Sequence, residues 1–502
     1  MFPKARYVTE TLPGDSNSDE KNDAYTLKTT ETGIPLVPQP SDDPEDPLNW
    51  SPLKKHAALA VLAIESLMVK FSNTLIAPGA HDLAAQFHTA ASKATYIGSA
   101  PPVLQAVAPL IWIPLSRRVG RRPILLLSQI IALVGAIGVA RSQSYAGALG
   151  CRMVMGFGGS AGLCIVPASI SDMFFLHEKG TRMGINAFFL VVGPYIGGVI
   201  GGSVQQNPNL RWRWAMYVAS ICYSVQLLAQ FFFVPETIYE RDVAAAEAPE
   251  KKRTIWRRLG FRKPTNPTGE TWLQTFKRPY VMFVYPAVVL PCFWVGVSAM
   301  TEVANTAGFA LNFGGNSRFH FTTAQVGFCF FSGLIGGVLG EFCAGPLCDL
   351  VARRTLKREE EWQPEKILKL AITGLTTIVA GLILYGCELS NPNSGWVSPL
   401  AGSALFVFGQ EIVVTVILTY ATDCYPEHAA EVAIVFQFFF NLMCFPQPFY
   451  TPQWIARSTA KVPYIVFAML PVALFPFCIG MFMWRGLQIR SRGLLSITRK
   501  NA

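Results

Sequence analysis

Pro114-Leu115-Ser116-Arg117-Arg118-Val119-Gly120-Arg121-Arg122-Pro123 is a short basic turn set between two apolar runs, roughly 95 to 115 before it and 123 to 141 after it. So short a turn holds the two runs side by side, and about 20 apolar residues is the length of a helix that crosses a membrane. A related stretch, Gly345-Pro346-Leu347-Cys348-Asp349-Leu350-Val351-Ala352-Arg353-Arg354, follows another apolar run at roughly 323 to 347. Counting outward from the first turn, spans fall at roughly 56–78, 95–115, 123–141, 146–171, 183–204 and 212–234. Around the second they fall at roughly 280–308, 323–347, 366–388, 396–422, 430–450 and 462–484. Each set of six carries its Gly/Pro-and-Arg turn after the second span, and internal duplication accounts for this economically.

The expected fold is therefore an all-α membrane protein of twelve transmembrane helices in two pseudo-symmetric six-helix bundles, residues 56–235 and 280–484. A central loop at 236–279 would join them, with a disordered arm at 1–55 and a tail at 485–502. Composition agrees: 51% of the 502 residues are hydrophobic and 15% charged, against about 25% charged in soluble domains. The first 50 residues hold ten acidic and four basic side chains with no sustained apolar run, a disordered composition without a signal peptide.

The net charge of +10 is distributed by side. With the amino terminus inside, 33 of the 42 Lys and Arg fall on the inner side, 7 on the outer, and Lys70 and Arg152 within spans. This bias predicts that both termini are cytoplasmic and leaves no basic face for nucleic acid. Lys251, Lys252, Arg253, Arg257 and Arg258 with Trp256 in the central loop would meet anionic inner-leaflet lipid, or serve only to fix topology. No Gly-Lys pair exists, which excludes the phosphate-cradling loop of ATP-driven pumps. The 11 Cys form no Cys-x-x-Cys and the 6 His are scattered, so no metal, cofactor or catalytic cluster is expected.

The two turns resemble the major facilitator superfamily, whose loop between spans two and three carries Gly-x-x-x-Asp-Arg-x-Gly-Arg-Arg. The first copy keeps Arg118, Gly120, Arg121 and Arg122 but has Ile113 and Arg117 where the family has Gly and Asp. The second keeps Gly345, Asp349, Arg353 and Arg354 without the central Gly. In the family this loop latches the outward-open state through its carboxylate, which Arg117 replaces here. Arg152-Met153-Val154-Met155-Gly156-Phe157-Gly158 resembles the Arg-x-x-x-Gly-x-Gly pattern of span four. Gly193-Pro194-Tyr195-Ile196-Gly197-Gly198 resembles the antiporter motif of span five, with Phe189 at its upstream Gly position. Asp46-Pro47-Leu48-Asn49-Trp50, Pro235-Glu236-Thr237 and Tyr420-Ala421-Thr422-Asp423-Cys424-Tyr425 resemble the fungal twelve-span drug/proton antiporter group. The resemblance implies a monomeric, multi-pass plasma-membrane carrier, not an enzyme, that exports small organic molecules in exchange for protons. Proton-symport uptake of a nutrient or organic cation such as a polyamine, and a solute receptor that moves nothing, remain alternatives.

Ionisable groups inside spans are functional candidates by default. Glu65 lies about 14 Å into span one, where desolvation favours the protonated acid; a structural hydrogen bond is its alternative. Glu411 lies about 22 Å deep in span ten, so the two would face each other from different halves at the midplane. Arg152 needs a partner, water, or a route to the outer interface. Glu302 and Asn305 share one face near the outer end of span seven, and Gln437 and Asn441 lie one turn apart in span eleven. Among these, small organic solute and protons would bind.

Overall fold

The computed structural model describes residues 8–10, 27–29, 36–41, 43–207, 211–239, 271–315, 317–359, 363–425 and 428–490. The first half comprises α1 (Pro52–Thr74), α2 (Ala91–Val107 and Pro109–Val119), α3 (Arg121–Arg141), α4 (Tyr145–Met173), α5 (Leu176–Gln205) and α6 (Arg211–Phe233). The second comprises α7 (Pro286–Phe313), α8 (Thr323–Glu359), α9 (Leu370–Ser390), α10 (Val397–Cys424), α11 (Ala429–Arg457) and α12 (Lys461–Arg490). Twelve spans result when the two parts of α2, bent by 51°, count as one. Pro109 causes the bend, because it supplies no N–H to the preceding turn and its ring crowds that turn.

Each half packs its own core, around Trp212 and Tyr223 in the first and Trp294, Tyr385 and Tyr464 in the second. The amino-terminal arm, the α2–α3 turn and the segment leading into α7 gather at one end of the bundle, called the inner end after the side to which the charge bias assigns it. A short helix, Trp272–Val281, precedes α7 and is closed by a capping box between Thr271 and Gln274. The basic cluster from Lys251 to Arg258 lies outside the described residues.

Two sequence expectations change. Within the arm expected to be disordered, the chain folds from Leu36 through the described residues to α1, which begins at Pro52. Fully buried Asp46 accepts hydrogen bonds from the N–H groups of Ser41 and Leu48, while Leu36 and Leu48 pack on Phe175. Val8–Glu10 and Leu27–Thr29 also pair as a small antiparallel ribbon. The second Gly/Pro-and-Arg stretch is no turn: α8 runs unbroken through Gly345, Pro346 and Arg354 to Glu359. In the first copy Gly120 adopts φ 115°, which stops α2 and starts α3. Ala352 stands at the corresponding place in the second copy, and alanine continues a helix where glycine permits the break.

Glycines report how the halves meet. On the outer part of α5, a Cβ at Gly198 or Gly202 would strike Phe330 or Gly327 of α8. Tyr96 of α2 packs on Phe449 of α11 at 4.3 Å between ring centroids, and His81 bonds Ala310 O at 3.1 Å. Toward the inner end, Gly180 and Gly184 of α5 and Gly345 of α8 have nothing within 4 Å of an added Cβ. Between α5 and α8 the halves are therefore closed together at the outer end and parted at the inner end.

Candidate solute cavity

A cavity of about 720 Å³ lies between the halves, within the size range of small-molecule sites. Along α1 its wall is Ser66, Lys70, Asn73 and Thr74, the i, i+4, i+7, i+8 positions of one helical face. Glu302 of α7, Glu341 of α8 and Glu411 of α10 line it from the second half, with Gln437 and Asn441 of α11. Glu302 Oε1 accepts the Tyr195 O–H at 3.2 Å, and Glu341 Oε2 accepts the Thr415 O–H at 3.3 Å. Lys70 Nζ stands 5.0 Å from the centroid of the Phe440 ring, close enough for a cation–π contact. Asn441 Nδ2 donates to the Gln437 carbonyl at 2.8 Å and to its Oε1 at 3.1 Å.

Glu65 does not face Glu411. Its position is about 100° round α1 from the Ser66–Lys70 face, which turns it into the first half's own core. There it is fully buried, accepts from Gln230 Nε2 at 2.9 Å and packs against Gly162 of α4. Asn305 likewise leaves the cavity, donating to Ser403 Oγ of α10 at 2.7 Å while Glu302 lines it. Lys70, Glu341 and Tyr195 were missed as site residues. The polar stripe from Ser66 to Thr74 in an otherwise apolar span is the signal that could have found Lys70.

Arg152 is fully buried and bound to backbone rather than to a carboxylate. Nε donates to Ile97 O at 3.0 Å and Nη2 to Gly98 O at 3.1 Å. These are the carbonyls that Pro101 and Pro102, lacking N–H groups, leave unpaired four residues later. Nη1 and Nη2 reach Ser72 O and Asn73 O, each at 2.8 Å, where α1 ends. A cation at a helix carboxyl end also meets the negative end of its dipole. Arg152 thus pins the ends of α1 and the first part of α2.

The α5 glycines serve two faces. Gly193, Gly197 and Gly201 lie against the α1 carbonyls of Leu67, Phe71 and Leu75, while Gly198 and Gly202 lie against α8. Small residues four apart permit such close backbone approach. The carbonyl of Pro194 accepts the Thr74 O–H at 2.5 Å.

At the inner end, Arg117 bonds Glu431 of α11 at 2.7 Å, and Arg278 reaches the same carboxylate at 3.3 Å. The cation now comes from the first half and the acid from the second. Arg118 donates from Nε and Nη2 to Thr275 Oγ1 at 2.9 and 2.7 Å. Arg121 pairs with Asp172 at 2.6 Å. Glu236 accepts the backbone N–H groups of Arg121 and Arg122 at 3.0 and 3.1 Å, a carboxylate at the start of α3. Burial pushes the Glu236 carboxyl above its usual pKa, although the N–H groups of Ile238, Arg121 and Arg122 favour its anion. In the second copy Asp349 and Arg354 are exposed, and the Arg353 side chain lies outside the described residues.

Residues 62–448 match the family model of the Major Facilitator Superfamily. The chain belongs to the major facilitator superfamily. Membership makes it a carrier rather than an enzyme. It is 27% identical over 501 residues to the MFS-type efflux pump MFS2 of Trichophyton rubrum, covering 98% of this chain and 82% of that one. It is 26% identical over 389 residues to the cycloheximide resistance protein of Candida maltosa, covering 76% and 70%. The fold is similar to that of a bacterial homolog of the human lysosomal transporter Spinster, solved inward-facing and unoccupied. That likeness has TM-score 0.59 and 14% identity, over 89% of this chain and 99% of that one. The human organic anion transporter MFSD10 (TETRAN) shares the fold with TM-score 0.55 and 18% identity, over 85% and 99%.

Proposed function

We propose that this member of the superfamily exports small organic solutes in exchange for protons, by rocking of its two halves about the central cavity. The observation that carries the reading is that cavity, walled in its middle by three carboxyl groups, closed between α5 and α8 on one side and parted on the other. Carboxyl groups placed between alternately exposed sides can take a proton from one and release it to the other. The names of the fungal relatives, an efflux pump and a drug-resistance protein, favour export. In this reading the inner end is cytoplasmic and the protein is a plasma-membrane monomer. The basic central loop touches anionic lipid, and the units are 56–235 and 280–484 with 236–279 between them.

Glu411 and the acids beside it, Glu302 and Glu341, take the coupling role expected of Glu65 and Glu411, because they line the cavity and Glu65 does not. The test is movement of a labelled panel of organic cations, polyamines and aromatic metabolites in vesicles, with and without an imposed pH gradient. Extrusion that collapses with the gradient is expected. Accumulation driven by the gradient would reverse the direction to symport, and binding without flux would make the protein a receptor.

A further inference from the structure

The charges in the middle of the cavity do not balance. Glu302, Glu411 and Glu341 come from the second half, and Lys70 is the cation that faces them from the first. Arg121, Asp172 and Lys179 also line the cavity, but at its inner mouth, where Arg121 and Asp172 pair with each other. Thr415 follows Glu411 by one turn of α10 and donates to Glu341, so those two acids form a step that descends toward the inner end. Glu302 is held by the Tyr195 hydroxyl. Glu411 is held by nothing: 8% exposed, it lines the cavity with no hydrogen bond or ion pair among the described residues. Lys70 has no carboxylate within 4 Å among them either, and its ammonium lies by the Phe440 ring.

Were all three acids ionised, one ammonium would leave an excess of two negative charges among largely buried side chains, which is costly unless compensated. Protons can compensate them, and so can a bound ammonium group. A carboxylate solute would only enlarge the excess. We propose that the solute carried is an organic amine whose ammonium binds the Glu411–Glu341 step beside the rings of Phe436 and Phe440, displacing a proton from that pair. Glu302 stays opposite Lys70 and offsets the charge that could otherwise receive an anion. The charges acting on Glu411 are Glu302 of α7, Glu341 of α8 and Lys70 of α1; Tyr195 of α5 and Cys444 of α11 are the other titratable groups near them. In the exchange, the ammonium enters from the inner side as one proton leaves the Glu411–Glu341 pair to that side, the pair's other proton staying behind. A proton from the outer side returns to the pair as the amine departs.

The proposal rests on the carrier reading above, and it is tested by equilibrium binding, which needs no gradient or flux. The full chain in nanodiscs is titrated with three probes of one shape: 2-(1-naphthyl)ethylamine, 2-(1-naphthyl)ethanol and 3-(1-naphthyl)propionate. The amine is expected to bind at least tenfold more tightly than the other two, and to weaken as pH falls. Calorimetry in buffers of different ionisation enthalpy should show proton release on amine binding. Glu411→Gln and Glu341→Gln should each reduce that release and weaken the amine, with an unchanged melting temperature showing that the fold survives. Equal affinity for all three probes, binding of none, or amine binding without proton release would overturn the proposal. Proton-coupled flux of neutral or anionic solutes alone would overturn it while leaving the carrier reading intact. Amine binding with proton release but no flux would support the site and remove the carrier reading instead.

Discussion

Arg152 and Glu65 look alike in sequence, each a lone charge in an apolar run, and the structure gives them work inside one half rather than in the cavity. Because Arg152 fills four carbonyls left over by two prolines and a helix end, Arg152→Lys keeps the charge but has too few donors. Each carbonyl left unpaired costs about 1–3 kcal/mol. The expected result is a clear fall in melting temperature, and poor recovery of folded Arg152→Leu; a variant of either kind that melts normally but cannot transport would overturn the pinning role. Glu65→Gln keeps the shape and the bond to Gln230, so its rate of transport should follow the wild-type pH profile. A displaced profile would return Glu65 to the coupling machinery. The sequence singled these residues out, by placing them where an unpaired charge is costly. Their direction required the rotation of each helix about its axis, as the one-residue offset between Glu65 and the Ser66–Lys70 face shows.

At the scale of elements, α5 shows how one helix can serve folding and motion from different faces. Gly197 faces α1 of its own half, whereas Gly198 faces Phe330 of the other. Gly197→Val should therefore lower the melting temperature, since the contact with the Phe71 carbonyl is needed for the half to fold. Gly198→Val should melt nearly as wild type, but spin-label distances between the outer ends of α5 and α8 should lengthen and transport should fall about tenfold, equivalent to about 1.4 kcal/mol. Equal melting losses for the two would contradict the division of faces. The Gly-Pro stretch itself was legible in sequence. That it forms two packing stripes was not, because the partner helices are distant in the chain. The α8 stretch shows the opposite limit: a repeated motif suggested a repeated turn, but one Ala in place of Gly left the helix continuous.

For the whole molecule, the parted inner ends of α5 and α8 make a specific demand on substitution. Gly184 has open space around it, so Gly184→Phe should fold and melt as wild type. Its ring would occupy the gap that the halves must close when the cavity turns outward, and transport should fall at least tenfold with solute binding retained. Normal transport would show that the inner ends need not meet there. The bridge from Arg117 to Glu431 spans the same end between α2 and α11, so the inner ends are joined on one flank while parted on the other. Sequence alone determined the membrane-spanning helical architecture and singled out most of the ionisable groups inside it, because apolar length, charge bias and costly buried charge are local properties. Tertiary structure decided that Glu302, Glu341, Glu411 and Lys70 share one cavity while Glu65 and Arg152 do not. Which side of a helix meets which neighbour depends on packing between distant segments, and that packing is what brings the two halves to bear on a single solute.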